Sequence, residues 1–288
     1  MSKSLTVLVT GVTGKQGGAV AKLLLQKGHK VRGLTRKLEG DAAKALQKAG
    51  VELAQGNLED RASLDRALQG VDAVFAMSTG FEAGMEAETK QGIVVADAAQ
   101  AANVWLVYTS VGSADRNTGI PHFDSKFAVE QHIKQIGVRA GILAPVYFME
   151  NAIAFGRDQL KQGVYATALP ADRKLAQIAL TDIAQVAVVM LENPDRFAGK
   201  RYDLVGDEVS GQQVVEILSR VVGKPFHYYQ VPLEMIRKMS EDMALMYEWF
   251  DRVGYHVDTA ALHAAFPEVK WTSYETWAKS QDWQAILA

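Results

Sequence analysis

A chain of 288 residues, 48% hydrophobic and 22% charged, can bury a full core, and one large domain with a smaller appendage is expected. With 31 basic against 33 acidic residues, its net charge of −2 offers no bulk attraction to nucleic acid, and the complete lack of cysteine excludes thiol catalysis, disulfides and thiolate metal sites. No stretch approaches the ~20 apolar residues of a membrane span. The apolar run in MSKSLTVLVTG is too short for a signal peptide, so a soluble cytoplasmic protein without a membrane partner or bound metal is expected.

In chain order, β-rich runs at Leu5–Thr10, Lys30–Thr35, Val51–Leu53, Ala73–Met77, Val104–Thr109 and Arg139–Leu143 alternate with helical patterns. The helical patterns follow Gly17 and cover Ala42–Lys48, Ala62–Leu68, Gly92–Ala102 and Ala128–Ile136. Strand–helix alternation predicts βαβ units and a doubly wound parallel sheet with helices on both faces, an α/β fold. Gly28, Gly50 and Gly70 each stand between a helix and a strand, where a helix C-terminus favours glycine. Asp60 or Ser63 is the expected N-cap of the third helix. Beyond Pro145 the pattern loosens. Strands are expected at Ile178–Leu180, Tyr202–Val205 and Phe226–Val231, and helices at Asp182–Leu191, Gln212–Val221 and, as one long element, 232–253. The expected division is a parallel-sheet core over 1–150, with further contributions from about 176–206. A mixed substrate-binding region over 151–288 is interleaved with it.

The segment TGVTGKQGG at 10–18 stands between the first strand and the first helix. In the spacing Gly11-x-x-Gly14-x-x-Gly17, the first glycine permits a sharp turn and the second lets backbone approach a pyrophosphate. The third lets the helix pack on the sheet. The helix N-terminus then presents N–H groups to phosphate. Thr13, Lys15 and Gln16 fill the same loop and count with it as cofactor contacts. The second strand ends Leu34-Thr35-Arg36-Lys37, with no Asp or Glu to hydrogen-bond a bare ribose. A guanidinium fork at Arg36 and a point charge at Lys37 suit a 2′-phosphate, which favours NADP(H) over NAD. The alternative is that both are solvated surface cations. Asn57 and Leu58, after the third strand, are placed beside the adenine; Met77, Ser78 and Thr79, after the fourth, line the cofactor's middle.

The segments TGVTGKQGGAV, TRK, GNLED, HFDSKFAVEQHIK, APVYFMEN and WTSYETWAKSQDW together resemble the NmrA-like group of atypical short-chain dehydrogenases over nearly the whole chain. The resemblance implies a Rossmann core with a small C-terminal region and a preference for NADP(H). It also implies one of two kinds of function, a redox-sensing regulator that does not turn the dinucleotide over, or an NAD(P)H-dependent reductase. The reductases include quinone reductases and plant reductases of benzylic ethers and isoflavones.

Typical short-chain dehydrogenases carry Tyr-x-x-x-Lys on the helix after the fifth strand. Here the segment reads His122-Phe123-Asp124-Ser125-Lys126. Lys126 falls at the lysine position, where the resemblance implies a ligand of the nicotinamide ribose, and His122 replaces the tyrosine. Spacing of i, i+4 puts both on one helix face. His122 is either an acid–base group, with an unperturbed pKa of ~6.5, or a polar residue packed near the cofactor. Ser110, after the fifth strand, is placed near the third catalytic hydroxyl of the family. Pro145 and Tyr147, leaving the sixth strand, fall beside the nicotinamide by the same resemblance. Tyr147 is there a candidate for the missing hydroxyl, or else a core aromatic.

Met235, Met239, Met243 and Met246, with Phe250, make an apolar stripe at helical spacing. It is plain core, or the wall of a cleft for a small apolar, aromatic substrate. The expected function is hydride transfer from NADPH to a flat apolar acceptor such as a quinone or enone. The alternative is a non-enzymatic NADP(H) sensor that binds a protein partner. A homo-oligomer stays open.

Overall fold

Short apolar strands punctuated by glycine can fold only by stacking side by side and covering both faces with helices. The computed structural model describes residues 4–78, 80 and 84–288. The first part contains β1 (Thr6–Val9), α1 (Lys15–Gln26), β2 (Lys30–Thr35), α2 (Asp41–Lys48), β3 (Glu52–Gln55), α3 (Arg61–Ala67), β4 (Ala73–Ala76), α4 (Met85–Ala101), β5 (Trp105–Thr109), α5 (Pro121–Ile136) and β6 (Ala140–Pro145). There follow β7 (Tyr147–Phe148), α6 (Asn151–Lys161), β8 (Val164–Thr167), β9 (Lys174–Ile178), α7 (Leu180–Glu192), α8 (Pro194–Phe197), β10 (Arg201–Leu204), β11 (Asp207–Ser210), α9 (Gly211–Val222) and β12 (His227–Gln230). The C-terminal helices are α10 (Leu233–Met239), α11 (Glu241–Arg252), α12 (Thr259–Ala265), α13 (Tyr274–Lys279) and α14 (Trp283–Leu287).

The chain divides into two units. The first comprises Met1–Asn117, Pro121–Ala144 and Ile183–Asp203. It holds a seven-stranded sheet in the order β10-β6-β5-β4-β1-β2-β3. The pairs from β6 across to β3 are all parallel. Strand order reverses between β1 and β4, the topological switch point of a doubly wound fold. Leu8, Leu34, Leu64, Val74, Leu106 and Val129 lie in one buried core. Gly28, Gly50 and Gly70 carry φ of 83°, 99° and 71°, the left-handed turn that ends a helix before the next strand. Asp60 caps α3 by accepting from the N–H groups of Ala62 and Ser63.

The second unit comprises Thr118–Ile120, Pro145–Asp182 and Leu204–Ala288. It has two small sheets, β11-β9-β7 and β12-β8, around a core that includes Met149, Leu218, Phe226, Trp277 and Trp283. The single helix expected over 232–253 is two. Ser240 is extended (φ −162°, ψ 115°), and its hydroxyl accepts from Met243 N–H, so it ends α10 and caps α11. The continuous methionine stripe is corrected with it: Met235 and Met239 are 52% and 83% exposed, whereas Met246 and Phe250 are buried. Four-residue spacing puts side chains on one face only while the helix continues.

Among the described residues no helix is long and apolar enough to cross a membrane, and no cluster of His, Cys, Asp and Glu could hold a metal.

Candidate functional site

The carboxyl ends of β1, β2, β3 and β4 enclose a cavity of about 460 Å³ in the first unit. β1 and β4 are clamped at their tips: Thr10 Oγ1 donates to Met77 O at 2.9 Å and accepts from Met77 N–H at 2.8 Å. The loop that follows turns at Gly11, with φ 59°. A Cβ on Gly17 would lie 2.4 Å from Gly11 O and 2.8 Å from Thr10 O, so only glycine lets α1 start this close to β1. Gly14 is the N-cap of α1 and has no side-chain cap. The first N–H groups of the helix are therefore left to a ligand. Gly14 also lines the cavity, and a Cβ there would meet Gly11 O at 3.2 Å.

Nine of the residues picked from the sequence meet in this cavity: Gly11, Thr13, Gly14, Arg36, Lys37, Asn57, Leu58, Met77 and Ser78. Arg36 and Lys37 are exposed at its β2 side. Asn57 is held by its own loop, its Oδ1 accepting from Glu59 N–H. Ser78 is buried in the cavity wall, with its hydroxyl beside that of Tyr108 on β5. Glycine cradle, uncapped helix and cations together fit a dinucleotide. Thr79 lies outside the described residues.

Other picks sit elsewhere. Lys15 is exposed at the start of α1. Gln16 points inward, its Nε2 donating to Thr109 Oγ1 at 3.0 Å, and so ties the glycine loop to the end of β5. Ser110 is buried, and its hydroxyl donates to Glu130, whose other oxygen accepts from Arg201 Nε at 2.8 Å. His122 stands one turn before Lys126 on α5, its ring edge-on to Phe123 at 4.8 Å. Pro145 and Tyr147 belong to the second unit. There the Tyr147 ring meets Phe250 edge-on at 6.1 Å, and burial pushes its phenol well above the usual range.

Four residues escaped the sequence reading. Asp41, in the first turn of α2, lines the cavity with Arg36 and Lys37, so a carboxylate does stand near the proposed 2′-phosphate position. Its signal was Gly40-Asp41 directly before a helical pattern. Gln91 also lines the cavity, its Nε2 donating to Glu59 Oε1 at 3.1 Å. Glu88 is 2% exposed, and its Oε1 lies 2.8 Å from Lys126 Nζ. Lys126 Nζ also donates to Ser78 O at 3.1 Å, which sets the ammonium against a residue of the cavity wall. Tyr108, on β5, is buried with its hydroxyl beside that of Ser78, and burial raises its phenol.

A parallel sheet with a glycine loop at its switch point, opening on a crevice with cations at one end, defines the dinucleotide-binding Rossmann class. The NmrA-like family model matches residues 3–278, and the chain belongs to that family. It is 30% identical over 283 residues to a (4-alkanoyl-5-oxo-2,5-dihydrofuran-3-yl)methyl phosphate reductase of Streptomyces griseus, covering 97% of this chain and 96% of that one. Among solved structures it is similar in fold to the negative transcriptional regulator NmrA in complex with NADP, with a TM-score of 0.80, 20% identity and coverage of 98% and 99%. It is likewise similar to an NADPH-dependent quinone oxidoreductase of Escherichia coli complexed with NADPH, with a TM-score of 0.77, 23% identity and coverage of 94% and 98%.

Proposed function

We propose that the protein binds NADP(H) and passes hydride from NADPH to a small, flat, apolar acceptor, a quinone or an enone. The observation that carries this reading is the meeting of the three-glycine loop with Arg36 and Lys37 in one cavity. The uncapped start of α1 suits the pyrophosphate, and the Arg36 fork suits a 2′-phosphate. Lys126, at the Ser78 end, suits the ribose of the nicotinamide half. The Streptomyces relative is a reductase and the Escherichia coli neighbour a quinone oxidoreductase, which supports a reductase.

When bound, the dinucleotide supplies the hydride; the chain's residues bind, orient and exclude water. A quinone that takes hydride becomes a hydroquinone anion, stabilised by its ring, which collects a proton from water. That acceptor class suits this site because its polar groups are already engaged. Lys126 is paired with Glu88, and the Ser110 hydroxyl donates to Glu130. His122 is the titratable side chain one turn from Lys126 and the candidate acid for acceptors that need one. The same engagement favours a second reading, an NADP(H) sensor that signals to a protein partner without turnover.

Mixing the protein with NADPH and a panel of quinones and enones, and following the absorbance of the reduced nicotinamide, separates the two. Protein-dependent oxidation is expected with at least one quinone. NADPH binding without oxidation across the panel would overturn the reductase and leave the sensor.

A further inference from the structure

Lys126 is held by groups of the chain itself. α4 and α5 run side by side in the same direction, and their contacts climb in register. Gly92 packs on Val129 so closely that a Cβ on the glycine would lie 2.5 Å from Val129 Cγ2. Further along, Asp97 Oδ1 meets His132 Nε2 at 2.6 Å. One turn before Gly92 on α4 is Glu88, and one turn before Val129 on α5 is Ser125. The close approach at Gly92 therefore delivers a carboxylate into a buried seam beside Ser125 and Lys126.

Both oxygens of that carboxylate engage α5. Oε1 is 2.8 Å from Lys126 Nζ, and Oε2 accepts from Ser125 Oγ at 2.5 Å. An ammonium has three N–H donors. Glu88 takes one and Ser78 O takes a second at 3.1 Å. Two fixed acceptors determine where the third points. The pair carries no net charge, so Lys126 contributes direction here more than field. A lysine stem is otherwise spread over many rotamers, and holding it in advance removes that entropy loss from ligand binding.

We propose that Glu88 is a positioning residue for the cofactor: it fixes Lys126 so that the third N–H meets the ribose of the nicotinamide half. The proposal rests on the NADP(H) reading above, and its test keeps the two apart. Wild type, E88A, K126A and the double variant are titrated calorimetrically with NADPH and with adenosine 2′,5′-bisphosphate, which carries only the adenosine half.

E88A is expected to weaken NADPH about tenfold, the loss of one hydrogen bond from a charged donor. K126A should lose a similar amount, and the double variant no more than the larger single loss. The bisphosphate should stay within about twofold throughout, because it does not reach Lys126. Additive losses, unchanged NADPH binding in E88A, or equal loss of both ligands would each overturn the role. If E88A does not fold, E88D carries the test: its shorter carboxylate withdraws from Lys126. NADPH should weaken about threefold with the bisphosphate unmoved, and no weakening overturns the proposal. A bisphosphate that fails to bind wild type would instead overturn the cofactor reading.

Discussion

Replacing Gly17 by alanine tests the central contact of the glycine loop. In an exposed helix interior, glycine to alanine gains ~1 kcal/mol from propensity. At Gly17 the new Cβ would lie 2.4 Å from Gly11 O, 2.7 Å from Gly11 C and 2.8 Å from Thr10 O. All three are backbone atoms of the β1 end, and none can rotate away. Restoring van der Waals contact moves the start of α1 outward by roughly 1 Å. The inner face of α1 is Val20, Ala21 and Leu24, each 0% exposed, so the shift loosens contacts along the whole helix. Overpacking of this kind costs ~1–3 kcal/mol, and a gap of that width forfeits a quarter to a half of each lost contact. After the propensity gain, a net destabilisation of roughly 1 kcal/mol is expected, or a Tm lower by roughly 2–4 °C. The displaced N–H groups should also weaken NADPH by about tenfold. Gly18→Ala is the control, since its Cβ would meet only Val12 O, at 3.3 Å. It should stay within about 0.5 kcal/mol of wild type. Urea unfolding and calorimetric titration measure both quantities. A G17A protein as stable as G18A would refute the reasoning.

Arg36→Ala should weaken NADPH by roughly tenfold to a hundredfold and NADH by much less, in parallel titrations; equal losses would remove the 2′-phosphate role. Asp41→Asn takes a carboxylate out of the cavity that Arg36 and Lys37 share. It should tighten NADPH about threefold at low salt, with a smaller effect at high salt and little effect on NADH; a NADPH gain that salt does not diminish would count against it. Burial pushes the carboxyl of Asp182 above its ordinary value of 3.8, although Thr272 donates to it from both N–H and hydroxyl. An acid whose folded pKa is raised binds its proton more tightly when folded. Its contribution is thus most favourable below 3.8 and is lost as pH rises through the folded value. The unfolding free energy of wild type minus that of Asp182→Asn should therefore fall as the pH is raised from 3.8 through that window; a difference that is flat or rises would contradict the shift.

The alternation of strands and helices was legible because it is written locally. Apolar runs of strand length, helical spacing and left-handed glycines at 28, 50 and 70 act over a few residues. The glycine loop was legible for the same reason, since a turn, a helix start and a close packing contact fall within seven consecutive residues. Local signals lost their force in the second unit. There the strands are short, such as the two-residue β7, and their stability comes from partners distant in the chain. The break at Ser240 was masked by methionines at helical spacing on both sides. One serine with an extended backbone outweighed that periodicity because its hydroxyl satisfies an N–H that a helix start leaves open.

By itself, the sequence determined the class of fold, the glycine loop at the end of β1 and the two cations at the end of β2, since each depends on neighbours along the chain. Only the tertiary structure decided what those groups face. It brought Asp41 into the cavity with Arg36, and it set Glu88 on Lys126 across 38 positions of sequence through the contact of Gly92 with Val129. A buried ion pair depends on how closely two helices approach, and that distance is set by packing across the interface.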